Sequence, residues 1–376
     1  MINMYDLSFY CGKKVLITGH TGFKGSWMSL LLLNLGADVV GYSLDTPTEP
    51  SLYDLCNLEN KIKNYNGDVR DLTHLKRVFF DESPDIVIHM AAQPIVRESY
   101  KNPAYTYEVN VMGTVNVLEC VRSCESIKSF INVTTDKVYL NRELNQAFKE
   151  DEMLCGFDPY SNSKSCSELV TYSYKNSFFG GESGIMQDGR RVAISTCRAG
   201  NVIGGGDFAS DRIVPDCIRA VERGEDIVVR NPYSTRPYQH VLEPVTAYLL
   251  IAMEQYKDIS KAGNYNIGPD ECDCVCTGNL VDLFVNKWNS NKNECLNEAI
   301  RVDRPDNGPH EAGFLKLDSS KVHDTFGFKN VWHIDEVMDK IVEWNIKYLS
   351  GEDILDCTQK QIDEFLTKLQ TTNKMS

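Results

Sequence analysis

A short apolar run that ends directly on a set of spaced glycines constrains this chain more than any other feature. Lys14-Val15-Leu16-Ile17-Thr18 reads as a buried strand, and Gly19-His20-Thr21-Gly22-Phe23-Lys24-Gly25 follows at once. Ser26 to Leu35 is then a leucine-rich helix. Strand, glycine turn and helix in this order gather free N–H groups and the positive end of a helix dipole at one point, where a pyrophosphate can lie. Gly19, Thr21, Gly22, Phe23 and Gly25 are the expected contacts of such a cofactor. A glycine-rich tight turn without a ligand has the same composition, so the setting between strand and helix carries the reading.

Strand and helix signals then alternate. Ala37 to Leu44 reads as a strand, Asp71 to Phe80 as a helix, Asp85 to Met90 as a strand, Pro103 to Cys124 as one long helix and Ser129 to Val133 as a strand. This alternation predicts an α/β fold: a Rossmann-type doubly wound parallel sheet with a smaller, interleaved C-terminal substrate lobe. The cofactor lobe is placed at 12–196 plus a returning strand and helix near 238–268, and the substrate lobe at 197–237 plus 269–376. Ligands of such sheets collect at the carboxyl ends of strands, where Gly19, Ala91-Ala92-Gln93 and Thr135 fall. Asp45 stands at the interval expected of an acid that holds the adenosine ribose, although Ser43 could be the last strand residue instead. No arginine follows closely to receive a 2′-phosphate, which favours NAD over NADP. Asp68-Val69, after Gly67, would flank the adenine.

Two further segments supply chemistry. Asp158-Pro159 is a helix start, an N-cap acid with proline at the first helical position, so Tyr160 and Lys164 share one face at i and i+4. An ammonium beside a phenol favours phenolate, so Tyr160 could take a proton from a substrate hydroxyl while a hydride leaves for a nicotinamide. Thr135, in Thr135-Asp136-Lys137, would hydrogen-bond the same oxygen. A lone Y-x-x-x-K is common on ordinary helices; the glycine loop and the converging strand ends give this one its meaning.

The chain resembles the extended short-chain dehydrogenase/reductases, the NAD-dependent epimerase/dehydratase family, and within them the CDP-glucose 4,6-dehydratases of bacterial surface-sugar (O-antigen, lipopolysaccharide) pathways. The resemblance rests on the glycine loop through Trp27, Ala91-Ala92-Gln93-Pro94-Ile95-Val96-Arg97, Asn110-Val111-Met112-Gly113-Thr114, Thr135-Asp136-Lys137 and Asp158-Pro159-Tyr160-Ser161. It extends through Arg198 to Asp207, Arg230-Asn231-Pro232, Arg236 to Pro244 and His310-Glu311-Ala312-Gly313. It implies oxidation at C4 of CDP-glucose, loss of water across C5 and C6 and return of hydride to C6, a deoxysugar-forming lyase reaction with NAD recycled. Asp136 would be the acid that protonates the departing C6 hydroxyl. That role needs a protonated carboxyl, and an adjacent ammonium works against it. Lys137 would be either the C5 base, which must be neutral, or a stabiliser of enolate charge. Asn201 would meet the sugar or diphosphate, and Arg236 and Arg304, with Arg212 and Gln93 behind them, would bind the substrate. The long helices commonly pair across a subunit axis in this family, which implies a homodimer or homotetramer; packing within one subunit is the alternative. A nucleotide-sugar 4-epimerase would use Tyr160, Lys164 and NAD without needing Asp136 and Lys137, and a non-catalytic NAD-binding module is the remaining rival.

Composition narrows the partners. Fifty-three acids against 39 basic residues give a formal charge of −14, which excludes broad nucleic-acid or anionic-membrane binding and asks for a local cluster of cations around an anionic substrate. Thirteen scattered cysteines suit a reducing compartment. Cys272, Cys274 and Cys276 form a C-x-C-x-C run without the second half of a zinc site, so loop and core thiols are expected there and no metal. No signal segment is visible in the first ten residues, and Trp27 to Leu35 is too short to span a bilayer, so a cytoplasmic protein is expected.

Overall fold

Val15, Leu16 and Ile17, Ile86 to Ile88, and Phe130 and Ile131 are all fully buried, as strands covered by helices on both faces must be. The structure, a computed structural model, describes residues 6–304 and 313–372. In chain order its elements begin β1 Lys14–Thr18, α1 Phe23–Asn34, β2 Asp38–Ser43, α2 Leu52–Leu55, β3 Lys63–Asn66, α3 Leu72–Glu82 and β4 Ile86–His89. There follow α4 Val96–Lys101, α5 Pro103–Tyr107, α6 Gly113–Ser123, β5 Ser129–Val133, α7 Pro159–Phe178, β6 Ala193–Ala199, β7 Val202–Ile203, α8 Ile213–Arg223 and β8 Ile227–Val229. The remainder is β9 Thr235–Arg236, β10 Gln239–His240, α9 Leu242–Lys257, β11 Asn264–Ile267, β12 Val275–Cys276, α10 Thr277–Asn291, β13 Arg301–Asp303, α11 Ser320–Phe326, α12 Ile334–Leu349 and α13 Ile354–Thr372.

Seven strands make one parallel sheet in the order β11-β6-β5-β4-β1-β2-β3. The order reverses between β1 and β4, which opens a crevice at their carboxyl ends. The doubly wound α/β fold read from the sequence is thus the fold observed. After β6 the chain leaves the sheet for β7 to β10 and returns through α9 to place β11 beside β6. The remaining strands form three two-stranded sheets, β10 with β7, β12 with β9 and β13 with β8.

Three elements differ from the sequence expectation. Helix α1 starts at Phe23, inside the glycine loop, rather than at Ser26. The edge strand β3, Lys-Asn-Tyr-Asn, has no apolar run to announce it. The helix expected over Pro103 to Cys124 contains a π-helical turn at Glu108–Met112, between α5 and α6. On that turn the buried Asn110 accepts from the Gln93 N–H at 2.8 Å and donates to the Gln93 carbonyl and to Ser163 Oγ. One side chain therefore fixes the loop after β4 against α7.

The two halves of the chain meet where glycine permits close approach. Trp27, fully buried in α1, donates its indole N–H to the Gly205 carbonyl at 3.0 Å. A Cβ on Gly205 would lie 2.1 Å from the Trp344 ring of α12, so only glycine fits between the two indoles. Helix α9 is buried along almost its whole length, and Tyr248 to Met253 show no exposure at all.

Candidate active site

The glycine loop is shaped by contacts that a side chain would destroy. Gly19 has φ +80°, and a Cβ there would lie 2.8 Å from the Ala91 nitrogen; one on Gly25 would lie 2.2 Å from the Gly19 carbonyl oxygen. Gly22 caps α1 with no side-chain hydrogen bond, and a Cβ on it would meet only the Gly19 oxygen, at 3.5 Å. The first N–H groups of α1 therefore face open space, a cradle for an anion. Thr21 ties the loop to the end of β2 through Ser43 Oγ at 2.9 Å and the Leu44 carbonyl at 3.1 Å. The Phe23 ring packs against Gly204, and Ala91 and Ala92, half-buried, follow β4 beside the loop.

Asp45 lies just beyond β2, exposed, and accepts a hydrogen bond from Asn66. The Asp68 carboxylate is gripped by Arg70, which holds its pKa below the ordinary value, and its backbone carbonyl accepts from Tyr42. Val69 is buried, close enough to Gly113 that a Cβ there would lie 2.7 Å from its methyl.

The chemistry-bearing residues converge past the end of β5. Asp158 caps α7, its carboxylate accepting from the Ser161 N–H at 3.0 Å, and Pro159 takes the first helical position. Such a cap contributes about 1 kcal/mol. It sets Tyr160 and Lys164 on the face of α7 turned to the sheet, where both are buried. Thr135 is close enough to the phenol to influence its titration, and the Lys164 ammonium donates to the Val133 carbonyl at 3.1 Å. Thr135 donates to Asp136 Oδ1 at 2.9 Å, and Lys137 Nζ reaches the same oxygen at 3.1 Å and Asn201 Oδ1 at 3.4 Å. Asp136 is fully buried, and its second oxygen has no hydrogen-bond partner among the described residues.

One electrostatic expectation needs correction. Burial pushes the Tyr160 phenol up to about 12 instead of down; Thr135 and Arg212 oppose this, while the charges of Asp136 and Asp158 add to it. Lys164 is itself pushed down to about 8 by burial, and its ammonium is directed at a backbone carbonyl. Lys137 is ion-paired with Asp136.

Gln93 is buried with its amide engaged inside its own segment, donating to Ile95 and Thr106 and accepting from the Ile95 N–H. It braces the loop. Arg212 pairs with Asp207 at 3.1 Å, and its charge reaches both Tyr160 and Lys24. Arg236, buried on β9, donates to the Thr235 carbonyl. Arg304 is exposed at the end of β13, and the register of Asp303 with Val229 sets it beside Arg230. The residues His310, Glu311 and Ala312 of the last motif lie outside the described residues.

Sequence reasoning missed two contributors. Lys24 is half-buried in the glycine loop and pushed down to about 7, first by burial and then by Arg212, Lys164 and Lys137. Lys24 is thus within electrostatic reach of Arg212, Lys164, Lys137 and the Asp136 carboxylate; a lysine among spaced glycines was the available signal. The second is Glu168, one turn after Lys164. It is held by Arg198 through two bonds of 2.9 Å and accepts from Thr134 and from Thr196. Arg198 continues to the Tyr139 hydroxyl and the Glu150 carbonyl. This buried network clamps α7 to the ends of β5 and β6, and the Glu168 charge favours the protonated form of Lys164.

The profile of the GDP-mannose 4,6 dehydratase family matches residues 16–341. Over 365 residues the chain is 44% identical to a CDP-glucose 4,6-dehydratase of Salmonella typhimurium (strain LT2), covering 97% of this chain and 99% of that one. Among solved structures it is similar to a dTDP-glucose 4,6-dehydratase of Bacillus anthracis in complex with NAD, at a TM-score of 0.72 and 18% identity over 92% of this chain and 100% of the other. A UDP-glucose 4-epimerase of Thermotoga maritima with UDP-glucose gives a TM-score of 0.74 at 22% identity, over 89% and 99% of the two chains.

Proposed function

The chain belongs to the GDP-mannose 4,6 dehydratase family, and from that premise we propose that it converts CDP-glucose to CDP-4-dehydro-6-deoxyglucose with NAD as a recycled cofactor. The observation that carries this reading is the Asp136–Lys137 pair set beside Thr135 and Tyr160, since an epimerase has no use for an acid and a base at that place.

NAD fits the residues present. The uncapped start of α1, the open space over Gly22 and the lack of room at Gly19 and Gly25 suit a pyrophosphate, which Gly19, Thr21, Gly22, Phe23 and Gly25 would hold. Asp45, Asp68, Val69, Ala91 and Ala92 would line the adenosine and nicotinamide ends. When bound, NAD supplies the acceptor for the C4 hydride and the donor that returns it to C6.

Thr135 and Tyr160 orient the C4 hydroxyl, and Tyr160 removes its proton. A phenol near 12 needs positive charge to do so; the Arg212 charge lowers it, and Lys164, one turn on along α7, would add to that on substrate binding. Oxidation at C4 acidifies C5. Lys137 then takes the C5 proton and Asp136 delivers one to the departing C6 hydroxyl. In this scheme the pair holds one transferable proton in all, on Asp136 before elimination and on Lys137 after it. One proton shift across 3.1 Å restores the starting form. If Lys137 instead only stabilises the enolate, its replacement by arginine should preserve turnover.

Asn201, Arg236 and Arg304, with Arg212, would bind the sugar diphosphate, and Gln93 would act through the loop it braces. The two-lobe division, 12–196 plus 238–268 against 197–237 plus 269–376, is supported by the return of β11 to the main sheet. A homodimer or homotetramer through α5, α6 and α7 is supported by exposed Leu169 and Tyr172 on α7 and exposed Met112 on the π turn between α5 and α6. A cytoplasmic setting agrees with thirteen free thiols, and no helix among the described residues is long and apolar enough to cross a membrane.

Incubation with CDP-, dTDP-, GDP- and UDP-glucose, followed by mass spectrometry, tests the proposal. Loss of one water from CDP-glucose alone is expected, and Asp136→Asn and Lys137→Met should abolish it. A new stereoisomer of unchanged mass, unaffected by those substitutions, would establish an epimerase instead.

A further inference from the structure

The three thiols of the C-x-C-x-C run have separate surroundings. Cys276 stands at the N-cap of α10 and its sulfur accepts from the Asn279 N–H at 3.5 Å. Cys274 points its thiol at the Asp270 carbonyl. Cys272 is exposed and directs its thiol at Asp273 Oδ2, at 3.8 Å. His333 Nδ1 meets that same oxygen at 2.8 Å from the other side, while Asp273 Oδ1 accepts from the Ile334 N–H at the start of α12. Thiol, carboxylate and imidazole atoms all lie within 4.8 Å of one another.

We propose that Cys272, Asp273 and His333 form a binding site for a divalent cation of the zinc type. Two proton donors converging on one buried carboxylate oxygen are a place where a cation can replace the protons. A tetrahedral ion about 2.0 to 2.3 Å from its ligands sets those ligand atoms about 3.3 to 3.8 Å apart. The sulfur already stands 3.8 Å from the carboxylate oxygen, so the cluster need only draw the sulfur and imidazole together from within 4.8 Å and open slightly between the imidazole and the carboxylate. Both moving groups are free to do this, since Cys272 is exposed and the His333 side chain is 64% exposed, while Asp273 is fixed by its bond to α12. On binding, the Cys272 S–H bond breaks and its proton goes to solvent, and the Nδ1–H proton that His333 gives toward Asp273 also leaves, a protonated ring losing it to solvent and a neutral ring carrying its remaining proton on Nε2. The sulfur donates an electron pair to the ion, as does one ring nitrogen of neutral His333. Thiolate and carboxylate together balance a 2+ charge, and water completes the fourth position. A thiolate with an imidazole favours zinc over magnesium or calcium.

The location gives the site a reach beyond itself. Asp273 sits between β11, the sheet edge, and β12, whose Val275 faces Arg236 across a two-stranded sheet. A bound ion would fasten that loop to α12 and steady the strand that carries Arg236.

The test is a cobalt(II) titration of the full chain, kept reduced with a phosphine. The expected result is a near-ultraviolet thiolate-to-cobalt band with visible bands of a four-coordinate ion, saturating at one ion per chain and displaced by zinc. Cys272→Ser should abolish the near-ultraviolet band, and His333→Ala should weaken cobalt binding by about tenfold or more. Cys295→Ser, at an exposed thiol elsewhere, should change neither. All three replace exposed side chains, and unchanged circular dichroism would establish that they fold. Absence of the band at millimolar cobalt, or its survival in the Cys272→Ser protein, overturns the proposal.

Discussion

The floor of the site and its mouth are built on different physical terms. Tyr160 and Lys164 stand on a twenty-residue helix, buried, and clamped to the sheet by Glu168 and Arg198. At the mouth, Arg236 and Arg304 sit on or beside strands of two and three residues, and Arg212 and Arg230 are held by Asp207, Asp211 and Asp216. The contrast matches the two tasks. Proton and hydride transfer tolerate little displacement of the reacting groups, so the floor is over-determined. Under the proposed function a diphosphate needs cations that can exchange a carboxylate for a phosphate, and the partly exposed pairs of Arg212 and Arg230 suit that exchange.

The comparison can be broken most directly at the floor. Tyr160→Phe should lower kcat by about 10² to 10⁴, the usual worth of a positioned acid or base, with little change in CDP-glucose binding by calorimetry. A loss of less than tenfold would remove Tyr160 from the proton transfer. Glu168→Gln should cost about 3 to 5 kcal/mol in urea unfolding, because it leaves the Arg198 guanidinium buried without its counter-charge. Glu168→Leu with Arg198→Met should recover most of that stability, and recovery of stability without recovery of kcat would mark the pair as a positioning device. At the mouth, Arg236→Gln should raise KM about tenfold and leave kcat nearly unchanged; an equal fall in kcat would mean that Arg236 acts in the transition state.

The smallest effect concerns pH. Burial lowers Lys164 from its ordinary 10.5 to about 8. Between those values the unfolded chain binds a proton that the folded chain does not, so this group makes stability rise with pH over that window. Activity should move the opposite way, falling above pH 8 as the ammonium near Tyr160 is lost. Lys164→Met should remove both trends, each followed by thermal melts and by kcat/KM.

Much of the floor was legible in the sequence. Asp158-Pro159 fixes where α7 starts and hence the shared face of Tyr160 and Lys164, and the apolar run before the glycines fixes β1. What escaped was set by contacts distant in the chain. The direction of the Tyr160 shift depends on how completely the phenol is desolvated, which spacing does not reveal. The π turn at Glu108–Met112 is invisible to a helical period, and β3 lacks the apolar pattern of a covered strand. The role of Glu168 emerges only once β6 brings Arg198 across from it.

The return of the chain through α9 to β11 bears on how the protein is made. During synthesis β6 emerges with its outer edge unpaired until residue 267 has left the ribosome, and the hydrophobic side of the sheet under α9 stays uncovered until residue 257 has done so. Through that interval the growing chain offers an open strand edge and a bare apolar face, both of which favour aggregation. The nascent polypeptide should accordingly engage chaperones more strongly when translation is halted before α9 than after β11.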